Sequence, residues 1–360
     1  MITATELLAA PRGRSLCLAV AERLDDAVGP AVFAAAQSPA PRRIADLIGV
    51  LRTVDPRPIR SWTVDDFADP VDYTISFSMA WQEPDESDAV SSFPAVVAAL
   101  YPIAESILAA PSTDWWDTPV ELSTLRCTSR YDEDHPPVAP DPVDARQAQE
   151  WLDRWRREEL IEDERARRER RDDPADNVSG TWWSTPNGEL SRLTTTRCLR
   201  STVGDGVGSV RLIWEEDSFG EEDALIWPMA AIGTPRIYEI GGPTDWAELV
   251  GRYPLEVSWS RRQDWYRSTG RDGRWQIPDY VAVARDFDAV HLTVAGYLTT
   301  AIRAVEVDAD IATVLAGWDP DQTWWLRSGL VANGRSEHWR SVEEPGRPIV
   351  WRRLPTDEVS

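Results

Sequence analysis

The spacing of apolar residues changes along this chain, and that change limits the folds open to it. In the first third, apolar positions recur at helical spacing, most clearly in residues 14–28 and 41–53. From residue 180 onward, short segments alternate between apolar and polar residues, as strands do. The pattern predicts an α+β protein with a mixed, mostly helical N-terminal domain and a β-rich C-terminal domain.

A proline-rich, acidic stretch and a highly charged stretch separate these two parts. Residues 132–142 have the composition of a linker, and 143–172 carry acid-first charge pairs at i,i+4 spacing, which favour an exposed helix. We therefore expect a mixed α/β domain over 1–131, a linker and exposed charged helix over 132–178, and a β-rich domain over 179–360.

Several local patterns predict particular elements. Thr3 and Glu6 have the spacing of a capping box at the start of a helix. Residues 73–81 alternate strictly between large apolar and small residues, which is typical of a strand. Asn187-Gly188 predicts a hairpin turn, and the alternation within 210–214 predicts another strand.

The charge of the chain limits its partners. Acidic residues outnumber basic ones by 61 to 38, the net charge is −23, and every basic residue is an arginine. Such a field repels nucleic acids and anionic membranes, so we expect a protein partner with a basic surface instead. The absence of lysine also excludes Schiff-base chemistry and a Walker-type phosphate loop.

The patterns of targeting signals and of cysteines predict a cytoplasmic location. The apolar run near the start is interrupted by charges such as Arg12, Arg14 and Glu22, so it does not resemble a signal peptide. No stretch reaches the ~18 apolar residues of a membrane span. Three cysteines far apart in the sequence imply no disulfide framework.

Motifs for cofactors and metals are absent from the sequence. There is no CxxC or HxxxH pattern, and the three histidines, His135, His291 and His338, are isolated from one another. We therefore predict no metal and no cofactor.

One segment, residues 260–275, concentrates arginines and aromatic rings in this acidic chain. Guanidinium groups bind carboxylates and phosphates through paired hydrogen bonds, and indole rings stack on planar groups. The segment could therefore hold a small anionic, nucleotide-like ligand, or its arginines could simply pair with the protein's own acids. The predicted ligand-binding residues are Arg261, Arg262, Asp264, Trp265, Tyr266, Arg267 and Arg271.

Three residues are candidates for acid–base chemistry. His291 shares a predicted strand face with Thr293, and Asp319 and Asp321 flank a proline in a turn. A desolvated acid in such a turn can transfer protons. The alternatives are a histidine satisfied within the core and an ordinary Asp-Pro-Asp turn.

Nineteen tryptophans complete the pattern, with doublets at 115/116, 182/183 and 324/325. In a strand, adjacent rings face opposite ways, so one ring of each pair covers a second layer or forms a sticky surface. Two hypotheses follow. The first is a protein-binding adaptor or immunity-type protein with an acidic, tryptophan-rich surface. The alternative is a transferase or hydrolase that binds an anionic substrate through 260–275.

Overall fold

Helices dominate the N-terminal part of the computed structural model, which describes residues 2–76, 81–132, 136–140, 144–199, 208–216, 220–342 and 350–355. A capping box between Thr3 and Glu6 opens the first helix, as predicted. The helices are α1 (Ala4–Ala9), α2 (Pro11–Leu24), α3 (Val28–Gln37), α4 (Pro41–Leu51), α5 (Val64–Ser76), α6 (Glu86–Ser91) and α7 (Pro94–Leu108).

The predicted strand over 73–81 is wrong where the structure describes it, because α5 continues to Ser76. Phe67, Val71 and Ile75 are buried at helical spacing, whereas Tyr73 is exposed. The apparent alternation of Tyr73 and Ile75 therefore separates two faces of a helix, and the apolar positions upstream decide the period. Residues 77–80 of the predicted strand lie outside the described residues.

The strands form two sheets. The larger has the order β13-β12-β3-β1-β2-β10-β7-β4, with β11 also on β3, and the smaller has the order β5-β6-β9-β8. The strands are β1 (Leu125–Tyr131), β2 (Thr194–Arg197), β3 (Asp223–Ala231), β4 (Ile237–Ile240), β5 (Pro254–Glu256), β6 (Arg274–Pro278), β7 (Ala289–Leu292), β8 (Val305–Glu306), β9 (Ile311–Thr313), β10 (Thr323–Trp325), β11 (Leu330–Ala332), β12 (Glu337–Val342) and β13 (Val350–Arg353).

Short helices alternate with these strands, and together they confirm the predicted α+β class. β1 pairs with β2 and β3, so residues 1–131 contribute a strand to the larger sheet. The predicted domain boundaries stay a prediction. The helices are α8 (Ala145–Glu169), α9 (Val210–Ile213), α10 (Pro243–Arg252), α11 (Arg262–Thr269), α12 (Tyr280–Asp286) and α13 (Val294–Thr300).

Two further local predictions are wrong. Gly188 begins a 3-10 helix, Gly188–Leu193, instead of a hairpin turn, because β2 pairs with β1 and β10 and leaves no edge for residues 181–185. The segment 210–214 is the single helical turn α9. The hydroxyl of Ser209, just before it, bonds to Thr128 and Thr196 on the sheet, which fixes a turn there.

Packing joins the helical and β-rich parts through tryptophans. Trp214 stacks on Trp115 with ring centroids 5.8 Å apart, and its indole N–H donates to the carbonyl of Ala68 on α5 at 3.1 Å. The charged helix α8 docks through Leu152 and Trp155, which are buried. A single core cluster therefore includes residues of both parts.

Candidate functional site

The predicted ligand-binding segment 260–275 contains the helix α11 and the start of β6. Arg261 is fully buried and pairs with Glu159 of α8 at 2.6 Å. Its guanidinium also donates to the carbonyl of Trp183 at 2.9 Å. A side chain enclosed in this way anchors α8 to the β-rich part and cannot reach a ligand.

The other arginines of the segment are also engaged within the chain. Arg262 pairs with Asp272 at 3.0 Å, Arg267 with Glu83 at 3.8 Å, and Arg274 with Glu256 at 2.9 Å. Arg271 donates to the backbone carbonyls of Arg274 and Asp310 at 3.0 and 2.9 Å. Trp265 is buried, Tyr266 is half-buried, and burial raises the pKa of Asp264 to about 6. Ligand binding by this segment stays a prediction that these contacts do not favour.

His291 lies at the centre of a buried charge network. It is fully buried on β7, where its Nδ1 lies 2.5 Å from Glu239 of β4 and its Nε2 lies 3.4 Å from Asp321. Burial opposes its charge, but the hydrogen bonds to Asp321 and Glu239 dominate and raise the pKa of His291 to about 9. The ring is therefore protonated at neutral pH and donates to both carboxylates.

Asp321 also binds Arg197 of β2, which completes the network. One carboxylate oxygen lies 2.6 Å from the guanidinium Nε, and the other accepts the backbone N–H of Arg197 at 2.8 Å. The guanidinium lies over the ring of Trp115 at 4.9 Å and donates to the hydroxyl of Thr118. Asp321 has a left-handed backbone (φ 60), which aspartate tolerates better than most residues. These contacts join β2, β4 and β7 with the turn that precedes β10.

Asp319 belongs to a second set of buried charges on the same turn. It lies 3.3 Å from Arg211 and accepts the backbone N–H of Glu216 at 2.8 Å. Arg211 and Arg130 both pair with Glu215, at 2.6 and 2.9 Å. Burial, together with the neighbouring glutamates, raises the pKa of Asp319.

The predicted acid–base turn and the arginine-rich segment lie on either side of Trp182 and Trp183. Gly317 approaches the side chain of Trp183, and its positive φ of 73 suits glycine. On the other side, Trp265 donates its indole N–H to the carbonyl of Trp182 at 2.7 Å. The two segments are thus neighbours, and each of them contacts the doublet Trp182-Trp183.

A cleft of about 730 Å³ lies elsewhere, between α8, the 3-10 helix and β1. Its size is typical of a ligand or peptide site. Trp151, Arg154, Trp155 and Glu158 from α8 form one wall. The remaining lining residues are Cys127, Thr128, Ser129, Arg130, Val138, Asn187, Gly188, Glu189, Leu190, Ser191, Arg192, Arg211, Glu215, Glu216 and Glu221.

The charged side chains on the floor of this cleft are held in ion pairs within the chain. Arg130 and Arg211 share Glu215, and the carboxylate of Glu216 is bound by Arg12 at 3.2 Å. Cys127 is buried, and burial raises the pKa of its thiol to about 12, so it is not a nucleophile at neutral pH. The charged groups of the floor are therefore held in fixed ion pairs.

Free charges are found on the walls. In the part of the chain that the structure describes, the side chains of Arg154, Glu158 and Glu221 form no ion pair or hydrogen bond, and one carboxylate oxygen of Glu221 is buried without a partner. Trp151 is half-buried beside them. With two free carboxylates and one free guanidinium, the walls carry a small negative charge and an aromatic surface.

The tryptophans are more enclosed than the sequence predicts. All nineteen lie in the described residues, and each is buried or half-buried. Both rings of the doublet Trp324-Trp325 are buried in β10, so they cover second layers instead of forming a surface. The exposed large apolar residues are Phe33, Tyr73, Phe93, Tyr101, Leu122, Val138, Leu160, Ile161, Ile232, Val331 and Val350.

Sequence reasoning missed the cleft because its walls come from separate segments of the chain. One signal was available: Trp151 and Trp155 lie at i,i+4 on a helix that also carries Arg154 and Glu158. A helix that is otherwise highly charged places these two indoles on one face. The acids of the opposite wall, such as Glu221, carry no comparable pattern.

Comparisons with known protein families, with curated proteins and with solved structures find no match to this chain. Among the described residues, no group of histidine, cysteine and acidic side chains could hold a metal ion. No helix in those ranges combines the length and the apolar character needed to cross a bilayer.

Proposed function

We propose that this protein is a non-enzymatic binding protein and that its cleft holds a basic segment of a protein partner. The observation that supports this proposal is the set of free wall carboxylates, Glu158 and Glu221, above a floor whose charges are already paired. A cationic side chain entering the cleft would meet acids that have no partner among the described residues.

Electrostatics on two scales support the same proposal. The net charge of −23 attracts a basic partner from a distance and raises its rate of encounter. Within the cleft, Trp151 offers a half-buried indole over which an arginine or lysine can lie. Arg154 on the same wall suits a carboxylate or carbonyl of the partner, so a peptide with mixed polarity fits better than a simple cation.

The burial of the three residues that the sequence suggested for acid–base chemistry favours a binding protein over an enzyme. His291 and Asp321 are 0% and 2% exposed, and Asp319 is 5% exposed. None of the three lines the cleft, and all three are held in ion pairs. We further propose a cytoplasmic location, which suits three free cysteines.

A basic peptide tests this proposal directly. Fluorescence anisotropy would compare the binding of labelled octa-arginine with that of labelled octa-glutamate. Each peptide would be measured at about 50 mM and at about 300 mM salt, because salt screens the long-range attraction between peptide and protein. The variant Glu158→Gln/Glu221→Gln should weaken octa-arginine binding about fivefold, because two charge contacts on the cleft wall contribute about 1 kcal/mol.

The matched control is Asp46→Asn/Glu105→Gln, which also removes two negative charges, one from α4 and one from α7. These helices contribute no residue to the cleft, and both side chains are exposed. The control should change the affinity less than twofold. Equal weakening by both variants would mean that the peptide responds to net charge alone, and the proposal would then be wrong.

A further inference from the structure

The outer face of α8 carries an apolar pair that the rest of the chain does not cover. The helix docks through its opposite face, where Leu152, Trp155 and Ala166 are buried. Leu160 and Ile161 follow each other in the sequence, and their exposed fractions are 41% and 66%. Exposed apolar residues that are contiguous and surrounded by polar ones are typical of interaction surfaces.

The charged residues of this outer face are ordered about the apolar pair. Three pairs of opposite charge lie at equal distances in sequence on either side of the point between Leu160 and Ile161. The pairs are Arg157 with Glu164, Asp153 with Arg168, and Glu150 with Arg171. Spacings of three and four residues place the members within α8 on one face of the helix, and Arg171 lies two residues beyond the helix end.

This order is the one that an antiparallel contact between two identical helices requires. Around a two-fold axis, residue i of one copy meets residue j of the other and j meets i, so the surface must be complementary to itself. With the axis beside Leu160 and Ile161, Arg157 faces Glu164 of the second copy, and the same contact occurs twice. A parallel contact would place each residue beside its own equivalent, so that Arg157 would face another Arg157.

The charges on this face are available to a second copy. Among the described residues, the side chain of Arg157 forms no ion pair or hydrogen bond, and it is exposed. The side chains of Arg168 and Glu164 are 69% and 51% exposed and lie 3.7 Å apart. An ion pair as exposed as this contributes little to stability, so its members can turn towards another partner at little cost.

Charge balance also favours a contact through α8. Each copy carries a net charge of −23, which opposes the approach of two copies. The helix α8, however, contains seven arginines and eight acidic residues, so its own charge is almost balanced. Two copies that meet through α8 therefore bring arginines of one chain next to acids of the other at short range.

We propose that this protein forms a weak two-fold symmetric dimer in which α8 packs antiparallel against α8 of a second copy, with Leu160 and Ile161 at the centre. A helix of 25 residues is about 37 Å long, and a contact between two single helices is small for a protein interface. We therefore expect a dissociation constant of about 10 to 100 µM.

Analytical ultracentrifugation of the full chain tests this inference. From about 1 to about 300 µM protein, the average mass should rise from that of a monomer towards that of a dimer. Ile161→Asp should weaken dimerisation about tenfold or more, because it places a charge at the apolar centre. Phe33→Asp on α3 is the matched control, since Phe33 is also 66% exposed and lies outside α8. The control should leave the dissociation constant unchanged.

An exchange of charges tests the pairing itself. Arg157→Glu alone and Glu164→Arg alone each set like charges opposite each other at two symmetric places, so each should weaken dimerisation about fivefold. The double variant Arg157→Glu/Glu164→Arg restores opposite charges and should bring the dissociation constant back to within about twofold of the original value. The single variants change the net charge in opposite directions, so net charge alone would make Glu164→Arg strengthen the dimer.

Disulfide cross-linking tests the antiparallel orientation. Ile161→Cys places a thiol beside the axis in both copies, so mild oxidation should join them. Glu150→Cys should give no such product, because its two copies lie about 30 Å apart along antiparallel helices. The unaltered protein, which contains three free cysteines, sets the background.

Several outcomes overturn the inference. A monomer mass up to about 300 µM would exclude a dimer of the expected strength. Equal weakening by Ile161→Asp and Phe33→Asp would mean that added negative charge alone separates the copies. A stronger dimer of Glu164→Arg, or no recovery in the double variant, would contradict the charge pairing. Cross-linked Glu150→Cys above the background would contradict the antiparallel orientation.

Discussion

Carboxylate groups in this protein lie in two contrasting environments, one buried within the larger sheet and one exposed on the wall of a cleft. Glu239 and Asp321 bind His291 and Arg197 inside the larger sheet. On the wall of the 730 Å³ cleft, Glu158 binds nothing in the described residues. The inner acids are bound to cations from other strands, whereas the wall acid is solvated by water.

This difference separates charges that hold the fold from charges that are available to a partner. Inside the sheet, two carboxylates and two cations balance each other, and removal of any one leaves a buried charge without compensation. On the cleft wall, water already compensates Glu158, so its loss costs the folded chain little. The buried pair of Arg261 with Glu159 belongs to the first kind, whereas the pairs of Arg267 and Arg274 are exposed surface contacts.

The largest expected effect is that of Asp321→Asn. This change keeps the size of the side chain, and asparagine tolerates the left-handed backbone at this position, where φ is 60. It leaves Arg197 and protonated His291 with one carboxylate fewer inside the sheet. We expect the free energy of unfolding in urea to fall by about 3 to 5 kcal/mol.

Asp46→Asn provides the control for that measurement. Asp46 is exposed on α4, so the same chemical change there should alter the free energy of unfolding by less than about 0.5 kcal/mol. If Asp321→Asn is as mild as this control, the network contributes no stability, and the contrast between inner and outer acids fails.

A smaller effect is expected from pH, through His291. Its pKa is about 9 in the folded chain and ~6.5 in the unfolded chain, so the folded state binds the proton more tightly. The stabilisation is complete below pH ~6.5 and is lost as the pH rises through about 9. Between these limits the unfolding free energy should fall by about 2 to 3 kcal/mol relative to His291→Gln. Parallel curves for the two proteins would show that His291 is neutral in the folded chain.

Local signals in the sequence predicted the helical part better than the sheet. The capping box at Thr3 and the helix over 41–53 depend on neighbouring residues alone, and the structure has both. The turn at Asn187-Gly188 and the strand over 210–214 depend on which edges are free to pair. β1 pairs with both β2 and β3 and so occupies strand edges there, and it lies far from these segments in the sequence.

The binding surfaces were harder to predict, for a related reason. Composition drew attention to 260–275 because five arginines lie close together there, but their partners, such as Glu159 and Glu83, are distant in sequence. A cluster of cations in the sequence does not reveal whether distant acids neutralise it. Conversely, Arg303 is a single arginine with no pattern around it, and only the folded chain shows that it has no partner among the described residues.

The smallest expected effect belongs to Glu158→Gln, which repeats on the cleft wall the change from carboxylate to amide made at Asp321. Glu158 is exposed and unpaired within the described residues, so the free energy of unfolding should change by less than about 0.5 kcal/mol. Urea denaturation of both variants under one buffer condition compares the two environments directly. A loss above about 1 kcal/mol would mean that Glu158 is bound in the folded chain, and the wall would then be structural. Because the chemistry of the two substitutions is identical, any difference between them measures the environment alone.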